Sequence, residues 1–149
     1  MAPCGRGIPI GNLTSQLFAN IYMNELDKFM KHRLKIRPYI RFADDFVILS
    51  QDRHFLCDLT PKIEEFLSQK LKLKIHPQKL FLKTVSSGLD FLGWVHFSDH
   101  RVLRTITKRK MMRRINVNQS EGTVNSYLGL LKHGNTGKIK KQFIETLEK

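Results

Sequence analysis

The sequence predicts an α+β fold: a mixed first part running to about residue 105, then a small basic helical part. Three observations carry this. Apolar residues recur at spacings of three and four over 13–35 and again over 58–71, the mark of amphipathic helices. Two β-rich apolar runs, 39–43 and 46–50, flank the polar pair Asp44-Asp45. From about residue 106 the pattern turns helical and strongly cationic.

In the first helix, Leu17, Phe18, Ile21, Tyr22, Leu26, Phe29 and Met30 form one apolar face, and Asn12, Thr14 and Ser15 are suited to cap its start. Pro9 and Gly11 keep the preceding loop out of helix. Pro38 closes this region, and the runs around Asp44-Asp45 read as a hairpin with those two residues as its turn. Both runs are nearly continuous in apolar residues, so the hairpin is expected to be covered on one or both faces. The second helix places Leu59, Ile63, Phe66, Leu67 and Leu71 on one side, with Asp58 or Thr60 as cap and Pro61 at the first helical position. Short strands are expected at Leu73 to Ile75 and Leu80 to Lys83. A further run, Phe91 to Phe97, is interrupted by Gly93 and pairs with Val102 to Thr105 across Ser98-Asp99-His100. Three helices follow, at about 106–116, 121–132 and 137–148, with Gly134-Asn135 stopping the second.

Composition narrows the function classes. Lys and Arg number 26 against 13 Asp and Glu, for a formal net charge of +13. Such a field favours polyanions, of which nucleic acid is the commonest. The segment RVLRTITKRKMMRR, residues 101–114, holds seven of these cations and no acid, so a basic face there can track a phosphate backbone. No apolar run approaches the roughly 20 residues of a membrane span. The start, MAPCGRGIPI, lacks the apolar core of a signal peptide, and Cys4 and Cys57 build neither a metal-ligand spacing nor a disulfide framework. A cytoplasmic protein with no membrane partner is the expectation.

Asp44-Asp45 carries the chemistry. Adjacent carboxylates repel unless a cation lies close. Hard oxygen donors suit Mg²⁺, which binds through one or two carboxylates plus substrate phosphates. Asp is also a favoured turn residue, so the pair taken alone reads as an ordinary turn. Upstream, GIPIGNLTSQLFANIYMNELDKF joins a Gly/Pro loop to a helix start whose bare N–H groups suit an anion.

Together these segments resemble the reverse transcriptases, over the second half of the palm and the start of the thumb. IPIGNLTSQ is similar to the loop and helix start lining the incoming-nucleotide pocket. RFADDFVILS resembles the catalytic hairpin, usually written Tyr-x-Asp-Asp, with Phe42 in the place of the Tyr. KLKIHPQKL resembles the next motif, whose lysine matches Lys79. GLDFLGWVHF resembles the primer-grip hairpin. The variant Ile10-Gly11-x-x-x-Ser15-Gln16 resembles the enzymes of bacterial diversity-generating retroelements, and the general layout resembles those of group II introns.

The resemblance implies a partial polymerase palm over 1–105, an antiparallel sheet with helices on one face, and a basic helical thumb over 106–149. It implies RNA-directed DNA polymerase chemistry with Mg²⁺ (or Mn²⁺), an RNA template, a DNA primer and deoxynucleoside triphosphates. Asp44 and Asp45 would be the catalytic metal ligands, Asp44 the stronger. Gly11, Ser15, Gln16, Phe42 and Lys79 would bind nucleotide. Phe91, Leu92, Gly93 and Trp94 would form the primer grip, Trp94 reading equally well as a core residue. Lys108, Arg109, Lys110, Arg113 and Arg114 would contact the duplex backbone. A third carboxylate, on a palm strand before the nucleotide-pocket helix, has no counterpart in this sequence, where only six residues precede Gly7. The expectation is therefore a polymerase portion inactive without an upstream polypeptide, with an exposed sheet edge and a tendency to self-associate. The alternative is a catalytically silent, RNA-binding remnant of a retroelement protein.

Overall fold

The computed structural model describes residues 12–147. The described chain is mixed α and β, with five α-helices and two small antiparallel sheets. It divides into two compact units, the boundary falling between Phe81 and Leu82.

The first unit opens with α1, Leu13–Lys28. Asn12 caps it, its side-chain oxygen accepting from the Thr14 N–H at 3.3 Å. A π-helical turn, Phe29–Arg33, continues α1, with the Leu34 N–H donating back to the Phe29 carbonyl. The predicted apolar face divides in two. Leu26 and Met30 are buried and Phe29 packs against the core, joined by Met23, which the pattern does not include, whereas Leu17, Phe18, Ile21 and Tyr22 are exposed, because no described residue covers the N-terminal half of that face.

The strands β1, Tyr39–Phe42, and β2, Asp45–Ile48, pair with Tyr39 opposite Ile48 and Phe42 opposite Asp45. The turn is thus Ala43-Asp44 rather than Asp44-Asp45, and Asp45 begins the second strand. Side chains alternate across a strand, so Tyr39, Arg41, Phe46 and Ile48 share one face. Phe46 and Ile48 pack against a core of Met23, Leu26, Met30, Ile36, Tyr39, Leu59, Ile63, Leu67 and Leu71. The other face, bearing Ile40, Phe42, Asp45 and Val47, leaves Ile40 and Phe42 exposed, so the hairpin is covered on one side only.

The helix α2, Arg53–Lys70, starts five residues before the expected position. Asp52, not Asp58 or Thr60, caps it by accepting from the N–H groups of His54 and Phe55. Pro61 consequently lies inside the helix rather than at its first position. Pro61 has no N–H to offer the Cys57 carbonyl one turn before it, and Cys57 is an exposed residue. The strands expected at 73–75 and 80–83 do not form. His76 accepts the Gln78 N–H on Nδ1 and the Lys79 N–H on its carbonyl, closing the short 3₁₀ turn Pro77–Lys79 between them.

In the second unit, β3 (Leu89–Phe91), β4 (Trp94–His96) and β5 (Arg101–Leu103) form one antiparallel sheet. The helices α3 (Thr105–Val117), α4 (Glu121–Leu130) and α5 (Gly137–Leu147) follow, close to their expected places. Trp94 and Leu103 of the sheet share a core with Met111, Ile115, Leu131 and Phe143 of the helical region. Gly134 meets the sheet closely: a Cβ there would sit 2.5 Å from Trp94 Cζ3 and 2.9 Å from the Arg101 carbonyl. Its φ of +142° also lies where L side chains rarely go.

Candidate functional site

Asp44 and Asp45 stand at the tip of the β1–β2 hairpin, both exposed. Ala43 takes a φ of +52°, the left-handed region that costs a non-glycine residue about 1 kcal/mol or more. Phe42 is directly opposite Asp45 on the outward face, so an aromatic ring flanks the second carboxylate. Neither carboxylate forms an ion pair with any described residue. Two adjacent hard-oxygen donors fit a magnesium ion that completes its shell with water and substrate phosphate. Among the described residues no group of three His, Cys, Asp or Glu side chains gathers to hold a metal without such help.

The hairpin is tied to α1 by a charged network that sequence reasoning misses. Arg41 grips Asp27 in a fork, Nε to Oδ1 at 2.8 Å and Nη2 to Oδ2 at 2.7 Å. Its Nη1 donates to Asn20 Oδ1 at 3.1 Å and to the Ala43 carbonyl at 2.7 Å. The Tyr39 hydroxyl donates to Asp27 Oδ1 at 2.8 Å. The Arg41 side chain is only 10% exposed and that of Asp27 21%. Hydrogen bonding from Arg41 holds the Asp27 carboxyl below its ordinary pKa, against the opposing effect of burial. Burial first, then the bond to Asp27, pushes the Tyr39 hydroxyl well above the ordinary tyrosine value. The available signal is Arg41 itself, the one base in the run YIRFADDFVIL, in register with the core-facing Tyr39.

The other predicted residues fall as follows. Gly11 lies outside the described residues. Ser15 and Gln16 occupy the first turn of α1, Ser15 half-buried and Gln16 exposed. Gln16 is one turn before Asn20, on the helix face that reaches the hairpin through Arg41. Lys79 ends its 3₁₀ turn, exposed.

In the second unit, Leu92 and Gly93 are the two turn residues between β3 and β4, with φ of +53° and +80°. Positive φ at both central residues is the signature of a tight hairpin turn. Leu92 is exposed, Phe91 and Gly93 half-buried, and Trp94 only 7% exposed. Trp94 is thus a core residue under the hairpin, with the Arg101 guanidinium 5.1 Å over its ring. Arg104 fastens the same hairpin, its N–H donating to the Gly93 carbonyl and its side chain pairing with Asp90 at 2.7 Å. On α3, Met111 and Ile115 are buried, Lys108 is half-buried, and Arg109, Lys110, Arg113 and Arg114 form an exposed cationic stripe. No helix among the described residues is long and apolar enough to cross a membrane.

The chain is similar to known proteins over most of its length. It is 24% identical to the group II intron-encoded protein LtrA of Lactococcus lactis subsp. cremoris over an alignment of 166 positions, covering 70% of this chain and 27% of LtrA. LtrA of strain MG1363 matches to the same extent. The chain therefore spans about a quarter of the length of the curated relatives it matches. The profile of the family described as "Reverse transcriptase (RNA-dependent DNA polymerase)" matches residues 2–96, well over half of the chain and including both the Asp44-Asp45 hairpin and the Leu92-Gly93 turn. The chain belongs to the reverse transcriptase (RNA-dependent DNA polymerase) family.

Proposed function

We propose that the chain is the C-terminal palm and thumb portion of a retroelement reverse transcriptase, the palm running to residue 105 and the thumb from 106. Its reaction is attack of a DNA primer 3′-hydroxyl on the α-phosphate of a deoxynucleoside triphosphate opposite an RNA template, releasing pyrophosphate. The observation that carries this reading is the exposed Asp44-Asp45 tip within the family match.

Asp44 is the principal metal-ligating carboxylate and Asp45 the secondary one. A bound Mg²⁺ or Mn²⁺ would neutralise charge on the reacting phosphates, the main catalytic demand of phosphoryl transfer. Gly11, Ser15 and Gln16 line the nucleotide and template side, Phe42 offers the nucleotide an aromatic surface, and Lys79 faces its phosphates. Phe91, Leu92 and Gly93 support the primer strand at the β3–β4 turn, and buried Trp94 holds that turn from beneath. The exposed cations of α3, Arg109, Lys110, Arg113 and Arg114, meet the hybrid duplex, with Lys108 turned toward the core, and the duplex is read by shape and backbone rather than by base edges.

A polypeptide N-terminal to this segment supplies the third carboxylate and the strand that completes the palm. The exposed Ile40, Phe42, Leu17, Phe18 and Ile21 support this, being apolar surface left uncovered on the hairpin and α1. Primer extension on an RNA template with Mg²⁺ and nucleotides tests the reading: extension is expected once that polypeptide is supplied. No extension from a complex that is shown to assemble and to bind primer–template contradicts it.

The exposed stripe on α3 also supports a second reading, a silent remnant that holds structured RNA. Under that reading RNA binding survives Asp44→Asn and no extension occurs in any combination.

A further inference from the structure

Arg41 touches neither Asp44 nor Asp45, yet it controls the backbone that presents them. The Ala43 carbonyl belongs to the peptide group joining Ala43 to Asp44. A guanidinium 2.7 Å from that oxygen fixes the peptide plane and hence the direction in which Asp44 leaves the turn. The turn needs such a hold, because Ala43 sits at a φ of +52°, a conformation that persists only where the surroundings over-determine it.

The guanidinium is itself immobilised. Its fork to Asp27, its bond to Asn20 and its low side-chain exposure restrict its orientation. Asp27 is held in turn by the Tyr39 hydroxyl. The chain of contacts therefore runs from the middle of α1, through one arginine, to the peptide bond before the first carboxylate. Lysine could supply the charge but not the fork, since a single ammonium cannot meet Asp27 in two parallel bonds while reaching the Ala43 carbonyl.

We propose that Arg41, locked by Asp27, Asn20 and Tyr39, is a positioning residue that sets the Asp44 carboxylate in its metal-ligating orientation. This rests on the reading of Asp44 as a metal ligand, and the test separates the two. Mn²⁺ affinity of the chain, assembled with the polypeptide that completes the palm, is measured by electron paramagnetic resonance for wild type, Asp44→Asn, Arg41→Gln and Arg41→Lys, with folding checked by circular dichroism.

The sign of the Arg41→Gln effect discriminates. Removing a cation near a metal site strengthens metal binding if the arginine acts only through space. Loss of positioning weakens it, by about tenfold, as for other outer-shell partners of metal ligands. The proposal expects weaker binding in Arg41→Gln and also in Arg41→Lys, where the charge is kept. Unchanged or tighter Mn²⁺ binding in folded Arg41→Gln overturns it. If Arg41→Gln does not fold, Arg41→Lys decides, together with the amide NMR shifts of Ala43 and Asp44: movement of those shifts with weaker Mn²⁺ binding supports the role, and unchanged shifts and affinity overturn it. If Asp44→Asn binds Mn²⁺ as well as wild type, the metal-ligand reading fails instead, whatever the Arg41 variants do.

Discussion

The basic helix α3 allows a prediction with a worked magnitude. Of its five cations, Arg109, Lys110, Arg113 and Arg114 are exposed and contiguous, whereas Lys108 is half-buried on the side of Met111 and Ile115. If each exposed cation neutralises one phosphate of a bound duplex, the four contribute about −3.6 to the slope of log K against log salt, at roughly 0.9 per phosphate. Changing all four to Gln should flatten the slope by that amount. Between about 50 and 200 mM salt, the affinity advantage of wild type over the variant should then shrink about 150-fold. Fluorescence anisotropy of a labelled RNA–DNA hybrid in a salt series measures it. Arg113→Gln alone should flatten the slope by about 0.9, and Lys108→Gln should leave it unchanged. A Lys108→Gln effect as large as that of Arg113→Gln, or a four-residue variant with the wild-type slope, would refute the placement of the nucleic acid on this face.

Two further predictions concern the scaffold. Gly134→Ala should destabilise the second unit by about 3 kcal/mol, since the new methyl meets Trp94 and an immovable backbone carbonyl at a φ hostile to side chains. Urea unfolding followed by the fluorescence of Trp94, the only tryptophan, reads this unit, and a loss below about 1 kcal/mol would show that the loop yields. The second prediction is pH-dependent. Asp27 has a depressed folded pKa, so its contribution is present above the unfolded carboxylate value near 3.9 and is lost as pH falls below it. The stability gap between wild type and Asp27→Asn should therefore narrow as pH is lowered from 6 through about 4 to 3, and a constant gap would contradict the Arg41–Asp27 pairing.

Much of the scaffold is legible in the sequence because periodicity and turn chemistry act locally. The face Leu59, Ile63, Leu67 and Leu71 emerges buried as its spacing requires. The α3 to α5 helices fall near their expected spans, and Trp94 proves to be the core residue that its apolar flanks allow. What escapes depends on distant partners. The one-residue shift of the turn to Ala43-Asp44 accompanies the bond from Arg41 to the Ala43 carbonyl, and Arg41 is itself held by Asp27 and Asn20 of α1. The run 73–75 and 80–83 has strand-like composition, but no described strand pairs with it, and Leu73, Leu80 and Leu82 remain exposed. Asp52 takes the cap from Asp58 because a helix extends upstream as far as a suitable cap and packing allow, even past the start of a clear apolar period. The Asp44-Asp45 pair is visible in the sequence as a motif, whereas Arg41 looks like any charged residue in a strand until α1 is folded against it.

The most direct measurement is single-turnover addition of one deoxynucleotide to a DNA primer on an RNA template. The chain is combined with a polypeptide supplying the N-terminal palm strand and its carboxylate, and wild type is compared with Asp44→Asn at saturating primer–template. The account predicts addition by wild type and a loss of about a hundredfold or more in Asp44→Asn, the scale of removing one charge-stabilising group, with duplex binding intact. Equal rates in the two proteins would contradict the assignment of Asp44 as a catalytic metal ligand.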